Sequence, residues 1–206
     1  MSVESDVQSG TQAAAAPAAA ANPALLGLAG FLPAGITLGL WLIGYLPAAD
    51  LGGMIPAVLG SAGLFLLIAA VAALRAGASV VAGIFGAFSA FWLSLGLMLA
   101  GLTNGWFGLT ATSNPLPTFL VSWLIVFVLL TVATLRLPLA FTAGFAFVDI
   151  TVALLLTSIL SGTAILQTLA GVTCFIFCAI YAYILVDAFG QELGGKAMAM
   201  GNAIQR

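Results

Sequence analysis

Long apolar segments, each long enough to cross a lipid bilayer, dominate this chain and restrict it to folds that a membrane can hold. Hydrophobic residues make up 63% of the 206 residues and charged residues only 5%, against roughly 25% charged residues in soluble domains. A span needs about 20 apolar residues, so the sequence predicts six, at residues 24–46, 54–74, 80–102, 117–135, 139–160 and 165–187. The predicted fold class is an all-α integral membrane protein with six transmembrane helices.

The few basic residues predict how these helices are oriented. With six spans and a cytoplasmic N-terminus, all four basic residues fall on the cytoplasmic side, as the positive-inside rule requires: Arg75, Arg136, Lys196 and Arg206. We therefore expect both termini to be cytoplasmic, in a multi-pass protein of the cell membrane (plasma or inner). The predicted transmembrane domain is residues 22–188, between a disordered tail at 1–21 without signal-peptide features and a cytoplasmic tail at 189–206.

Composition also narrows the classes of function. Histidine, the commonest general base and metal ligand, is absent, and the sequence contains no nucleotide-binding loop, nucleophile elbow or metal-ligand cluster. A net charge of −2 argues against nucleic-acid binding. Cys174 and Cys178 share one helix face at a spacing that suits buried packing. We expect no enzymatic activity, no cofactor and no metal site.

The first span opens with a clear helix-start signal, Asn22-Pro23-Ala24. Asn is a good N-cap, and Pro suits the first helical turn because its missing N–H would be unpaired there anyway. Backbone N–H groups near Asn22 and Ala24 could attract an anion at this mouth. Gly27 and Gly30 leave room for another backbone or a permeating molecule to come close.

The most unusual residue for a membrane helix is Asp149, an acid in the middle of the fifth span. An acid at mid-bilayer costs about 2.5–3.5 kcal/mol on insertion scales. Two interpretations stay open: a proton site or pathway-lining carboxylate, or a hydrogen-bonded residue at a helix contact. Phe145, Val148 and Thr151 share a stripe, and Asp149 lies about 100° around the helix from Val148. Asp187, at the end of the sixth span, is predicted to be solvated at the membrane interface.

The opening string Asn22-Pro23-Ala24-Leu25-Leu26-Gly27-Leu28 resembles the signature of the acetate uptake transporter family, the GPR1/FUN34/YaaH group, which includes succinate-acetate permeases. Gly44-Tyr45 and Phe91-Trp92-Leu93 extend this resemblance, which covers nearly the whole chain after residue 21. Members of the family are six-span proteins that assemble as hexameric rings, with a pathway for small carboxylates in each protomer. The resemblance therefore implies a homo-oligomer, a hexamer, in the lipid bilayer, with a small carboxylate as substrate.

The resemblance also implies a narrow apolar constriction, made by a Phe, a Tyr and a Leu from the first, third and fifth spans. The corresponding positions here are Phe31, Phe88 and Val148. Two of the three differ from the family pattern, and the missing Tyr hydroxyl predicts a drier constriction. Trp92 and Thr151 are further candidates to line the pathway.

The opening motif, the apolar constriction and Asp149 together predict transport of acetate or related small carboxylates, with a proton or as the neutral acid. Crossing as a bare anion is unfavourable because desolvating an isolated charge costs several kcal/mol or more. Two alternatives stay open: a channel for a small neutral solute such as ammonia, an amide or water, and a membrane scaffold that transports nothing. A continuous path lined by Phe31, Phe88 and Val148 would count against the scaffold.

Overall fold

The structure, a computed structural model, describes residues 22–110 and 114–205. The predicted tail at residues 1–21 and the basic residue Arg206 lie outside these ranges, and no strand occurs within them. Six α-helices account for most of the described chain. Their bounds are Pro23–Leu42 (α1), Leu64–Arg75 (α2), Ser79–Asn104 (α3), Leu116–Thr134 (α4), Leu139–Ser161 (α5) and Ala164–Glu192 (α6), with 3-10 helices at Ala48–Met54 and Trp106–Gly108 and a π-helix at Pro56–Gly63.

Six helices long and apolar enough to cross a membrane correspond to the six predicted spans, which confirms the predicted fold class. The first predicted span is too long, because α1 ends at Leu42 rather than at residue 46. The helix stops where Gly44 adopts a left-handed conformation, with φ of 83°. The Gly44 N–H donates to the Trp41 carbonyl at 3.0 Å, and the Tyr45 N–H to the Leu40 carbonyl at 2.9 Å. These two bonds form a Schellman C-cap, so Gly44 has a structural reason to be glycine.

The second span, Ala49–Arg75, changes helix type along its length. It passes from a 3-10 turn into the π-helix and then into α2. A π-helix bonds each N–H five residues back and is therefore wider than an α-helix. Two bonds tie this wide segment to its neighbours: Ser61 Oγ donates to the Gly30 carbonyl at 2.6 Å, and Ser89 Oγ donates to the Gly63 carbonyl at 2.8 Å.

The helices form a closed ring around one central core. Neighbours along the ring pack in the order α4, α5, α6, α1, α2 and α3. Aromatic side chains join α3 to α4: the Phe88 ring stacks on Phe127 with centroids 5.1 Å apart, and Phe91 meets Trp123 at 5.5 Å. Buried side chains from all six helices meet in the core, so each helix presents one face to the centre of the ring.

Glycines bring α1 into direct contact with its neighbours. A Cβ at Gly27 would lie 2.7 Å from the Phe85 ring of α3, and a Cβ at Gly30 would overlap Phe65 of α2. Real Cβ atoms are never this close to other heavy atoms, so a side chain at either position would push α1 outward. Two more glycines of α1 pack in the same way against α6, Gly35 and Gly39.

The chain folds back after α6 instead of leaving the bundle. The helix continues to Glu192, beyond the predicted domain boundary at 188. Residues 196–205, which we call the C-terminal strap, then run back across α6 to the turn between α4 and α5. The bonds that hold the strap are Met198 N–H to Asp187 Oδ1 (2.6 Å), Tyr183 hydroxyl to the Ala199 carbonyl (2.9 Å), Ala140 N–H to the Met200 carbonyl (2.9 Å) and Gln205 N–H to the Leu135 carbonyl (2.9 Å).

Asp187 is buried, so its predicted position as a solvated interfacial acid is wrong. Its side chain is 8% exposed. One carboxylate oxygen accepts the Met198 N–H of the strap, and the other accepts from Gln191 Nε2 at 2.7 Å. The strap thus replaces water as the partner of this carboxylate, as buried polar groups require.

The contact between Gly30 and the second span predicts a stability difference between two glycine variants. In Gly30→Ala, the new methyl group overlaps Phe65 and presses on the Ser61 contact, so we expect a loss of about 1–3 kcal/mol from overpacking. In the control Gly83→Ala, on α3, the methyl group meets nothing within 4 Å. The control should be neutral or more stable, because Ala favours a helix over Gly.

Thermal unfolding in detergent measures both variants against the parent protein. A lowered midpoint for Gly30→Ala beside an unchanged or raised midpoint for Gly83→Ala is the expected result. Equal midpoints would contradict the close packing of α1 on the second span.

Candidate functional site

A cluster of aromatic rings surrounds Phe31 at the centre of the bundle. Its ring centroid lies 6.0 Å from those of Phe88, Trp92 and Phe177, and 5.4 Å from that of Tyr181. The contacts with Phe88, Trp92 and Tyr181 are edge-to-face, an arrangement that the charge distribution of aromatic rings favours. Because Phe31 is 4% exposed, this cluster blocks the middle of the ring of helices.

Four cavities follow one another through the bundle, starting at the end where Asn22 lies. We call them the mouth, inner, narrow and far cavities, and their volumes are about 510, 30, 20 and 50 Å³. Each cavity shares wall residues with the next, so they form one line interrupted at Phe31 and Phe88. The shared residues are Leu28, Ile84, Phe85 and Tyr181 (mouth and inner), Phe31 and Phe88 (inner and narrow), and Leu38, Phe91, Thr151 and Val152 (narrow and far).

The three residues predicted to form a constriction lie around one cavity. Phe31 of α1, Phe88 of α3 and Val148 of α5 are all buried and all line the narrow cavity. Its volume of about 20 Å³ is enough for one water molecule. Apart from Trp92 and Thr151, every side chain that lines it is a hydrocarbon. This cavity is therefore the smallest of the four and is nearly devoid of polar groups.

The mouth cavity lies at the start of α1. Asn22 and Ala24 line it, together with Asp187, Glu192 and Met200 of α6 and the C-terminal strap. Asn22 is the N-cap of α1, and its Oδ1 accepts the Ala24 N–H at 3.0 Å, while Pro23 occupies the first turn. The predicted helix start is confirmed. The Ala24 N–H, however, is already bonded to the Asn22 side chain, so an anion at the mouth would have to compete with this cap.

Asp149 faces α4 and lines none of the four cavities. Its Oδ2 accepts a hydrogen bond from Thr131 Oγ1 of α4 at 2.6 Å. Its Oδ1 is buried and has no hydrogen-bond partner among the described residues. This geometry corresponds to the helix-contact interpretation, and it leaves one carboxyl oxygen without a partner.

Trp92 and Thr151 both line the narrow cavity, but their polar atoms are placed differently. The Thr151 hydroxyl is bonded to the Phe147 carbonyl at 2.7 Å and meets the Thr173 hydroxyl of α6 at 2.8 Å. Trp92 Nε1 is buried with no partner among the described residues. Trp92 thus contributes ring carbons to the wall of this cavity, while its Nε1 is covered.

Several wall residues were not predicted from the sequence, among them Phe127 on α4, and Phe177 and Tyr181 on α6. The signal for the two on α6 was present, because they continue a buried stripe at helical spacing that begins at Cys174. No such signal marks Phe127, because α4 is apolar on every side and is the least buried span.

Across residues 22–110 and 114–205, no group of three or more His, Cys, Asp or Glu side chains comes together. The two cysteines are free and buried. Cys174 Sγ packs at 3.3 Å from the Gly35 carbonyl, which places this residue in the contact between α1 and α6.

Sequence and fold both match known proteins. The model of the GPR1/FUN34/yaaH family matches residues 4–192. Among solved structures, the bacterial acetate channel SatP is similar to this chain, with a TM-score of 0.76 and 25% sequence identity. The match covers 88% of this chain and 99% of the SatP chain. A comparison with curated proteins finds no match.

Proposed function

Since the chain belongs to the GPR1/FUN34/yaaH family, we propose that it carries acetate and related small carboxylates such as succinate across a membrane. The observation that carries this proposal is the line of four cavities, which narrows where Phe31, Phe88 and Val148 meet. The similarity to the acetate channel SatP supports acetate as the substrate. In this proposal each protomer has its own pathway, and the three residues form its constriction.

The charges along the pathway favour passage with a proton or as the neutral acid. Asp187 and Glu192 line the mouth cavity, and no Lys or Arg among the described residues lines any of the four cavities. A carboxylate anion would therefore lose its water in the narrow cavity without gaining a positive partner, at a cost of several kcal/mol. Protonation removes that charge before the solute reaches Phe31.

The mouth cavity opens to the cytoplasm in this proposal. Arg75 at the end of α2 and Arg136 between α4 and α5 lie at the same end of the bundle as Asn22, and so does Lys196. The positive-inside rule places that end in the cytoplasm, with the protein in the cell membrane. The family resemblance suggests a hexamer, and the poorly buried α4 leaves an apolar face for lipid or a neighbouring protomer.

A small neutral solute is the second candidate substrate. The observation in its favour is the nearly apolar narrow cavity, which admits a neutral molecule more readily than an ion. A scaffold without transport activity is disfavoured, because Phe31, Phe88 and Val148 line one cavity rather than separate surfaces.

Uptake of labelled acetate into proteoliposomes tests the proposal. We expect saturable uptake that an inward proton gradient increases, and we expect urea and ammonia not to compete. If uptake is saturable but does not depend on the proton gradient, the proposed movement with a proton is wrong. Absence of uptake for acetate, succinate and similar carboxylates would overturn the assignment, and competition by urea or ammonia would favour the neutral-solute channel.

A bulky residue at Val148 should close the pathway. In Val148→Phe, an added ring enters a cavity of about 20 Å³. Overpacking costs about 1–3 kcal/mol, and a cost of this size on the solute's path should lower the acetate uptake rate about tenfold. The matched control is Ile150→Phe on the same helix, where the side chain is exposed. Acetate uptake rates of both variants, measured at equal amounts of folded protein, give the comparison.

The opposite change at Val148, to a smaller residue, gives a second test that does not depend on whether Val148→Phe folds. Val148→Ala widens the narrow cavity, so its acetate uptake should equal or exceed that of the parent. If Val148→Phe and Ile150→Phe transport equally well, the narrow cavity is not the pathway.

Asp149 follows Val148 on α5 but lines none of the four cavities. We propose it as the proton site because its Oδ1 is buried with no hydrogen-bond partner among residues 22–110 and 114–205. Asp149→Asn keeps an oxygen that can accept the Thr131 hydrogen bond, so the contact between α4 and α5 should persist. We expect acetate to move down its own gradient at near-parental rate, while the stimulation by a proton gradient disappears. The control is Asp50→Asn, at an exposed acid outside the four cavities. Unchanged stimulation in Asp149→Asn would leave Asp149 as a helix contact alone.

A further inference from the structure

Tyr181 has a buried hydroxyl that nothing in the fold uses. The side chain is 6% exposed, and its hydroxyl oxygen has no hydrogen-bond partner among the described residues. Buried polar side-chain atoms in folded proteins nearly always have a partner, so an unpaired one calls for a reason. A phenylalanine would fill the same space without burying an unpaired polar group.

The ring of Tyr181 stands between the mouth and the constriction. It forms part of the wall of both the mouth cavity and the inner cavity. Its edge-to-face partners are Phe31 at 5.4 Å, Phe145 at 6.3 Å and Phe177 at 6.4 Å. A solute that moves from the mouth towards Phe31 must therefore pass against this ring.

The hydroxyl of Tyr181 occupies a space that α5 leaves open. It lies beside Gly144, where a Cβ would be 3.1 Å from the hydroxyl oxygen and 2.9 Å from the ring carbon that bears it. Gly144 thus lets the phenol ring sit close to α5. The hydroxyl is held there by packing and forms no hydrogen bond with the described residues. Because its oxygen is covered, it donates to a solute only when the ring turns away from Gly144.

Apart from Asn22 at the start of α1, the other polar side chains of these two cavities do not suit a carboxylate. Asp187 and Glu192 are acids and repel an anion, and the Gln191 amide already donates to Asp187. A phenol is neutral. Its hydroxyl can donate a hydrogen bond to a carboxylate oxygen, and it can also accept a hydrogen bond from a protonated carboxyl group. It can therefore hold the solute both before and after protonation.

We propose that Tyr181 is a specificity-determining residue, whose hydroxyl binds the carboxyl group of the solute on the mouth side of Phe31. This inference rests on the proposed function and adds a binding group to it. Tyr181 and Phe88 both line the inner cavity, so α6 supplies a hydroxyl near a constriction that has none on α3.

Tyr181→Phe removes one oxygen atom and tests this role. We expect the half-saturation concentration for acetate uptake to rise about fivefold, the effect of one lost hydrogen bond, with little change in the maximal rate. The control is Tyr45→Phe, which removes a phenolic hydroxyl that is exposed and lies outside the four cavities. Its half-saturation concentration should stay at the parental value.

Thermal unfolding in detergent separates binding from a structural effect. Without acetate, Tyr181→Phe should be at least as stable as the parent, because an unpaired buried hydroxyl is removed. Added acetate should stabilise the parent, as any ligand of the native state does, and the variant should need about fivefold more acetate for the same shift. The inference is overturned if Tyr181→Phe has the same half-saturation concentration as the parent and the same acetate-induced shift in unfolding temperature. If the parent protein takes up acetate in that experiment, the proposed transport function still stands.

Discussion

The close packing of α1 at four glycines is the constraint on which the rest of the structure depends. Gly27 and Gly30 let α3 and the second span come into contact with this helix, and Gly35 and Gly39 do the same for α6. In a membrane there is little hydrophobic gain from bringing two helices together, so such close packing is a main source of their association. It also holds Phe31 in the centre of the ring, where residues from every side can close around it.

A pathway through this ring has to solve an electrostatic problem with almost no charges. The narrow cavity offers a solute hydrocarbon on nearly every side, and the mouth offers carboxylates. In the proposed pathway, both features disfavour bare anions relative to neutral species. On this proposal, selection among neutral species depends on isolated hydrogen-bonding groups. Trp92 and Tyr181 both pack against Phe31, and their polar atoms are buried with no hydrogen-bond partner in the described part of the chain.

Features set by length and local chemistry could be predicted from the sequence. The thickness of a bilayer fixes the length of the six spans, and Asn22 marks the first helix start by its own side chain. Features set by distant partners could not. Asp187 is buried because the strap returns to it, and the direction in which Asp149 points depends on Thr131, on another helix. Only some of the residues that surround Phe31 could be predicted. When a helix is apolar on every side, the spacing of its residues does not show which face is turned towards the centre of the bundle.

The π-helix in the second span gives the chain a place to absorb a change in length. A π-turn takes up an additional residue while the helix beyond it keeps its orientation. In a regular α-helix of the same sequence, every residue after Gly63 would be rotated by about 100°. Leu66, 2% exposed, would then leave the wall of the inner cavity, and Leu67, 44% exposed, would move towards a different neighbour. Loss of one residue between Pro56 and Gly63 would straighten the segment and preserve the lining, whereas the same loss within α3 would turn Phe88 away from the cavity.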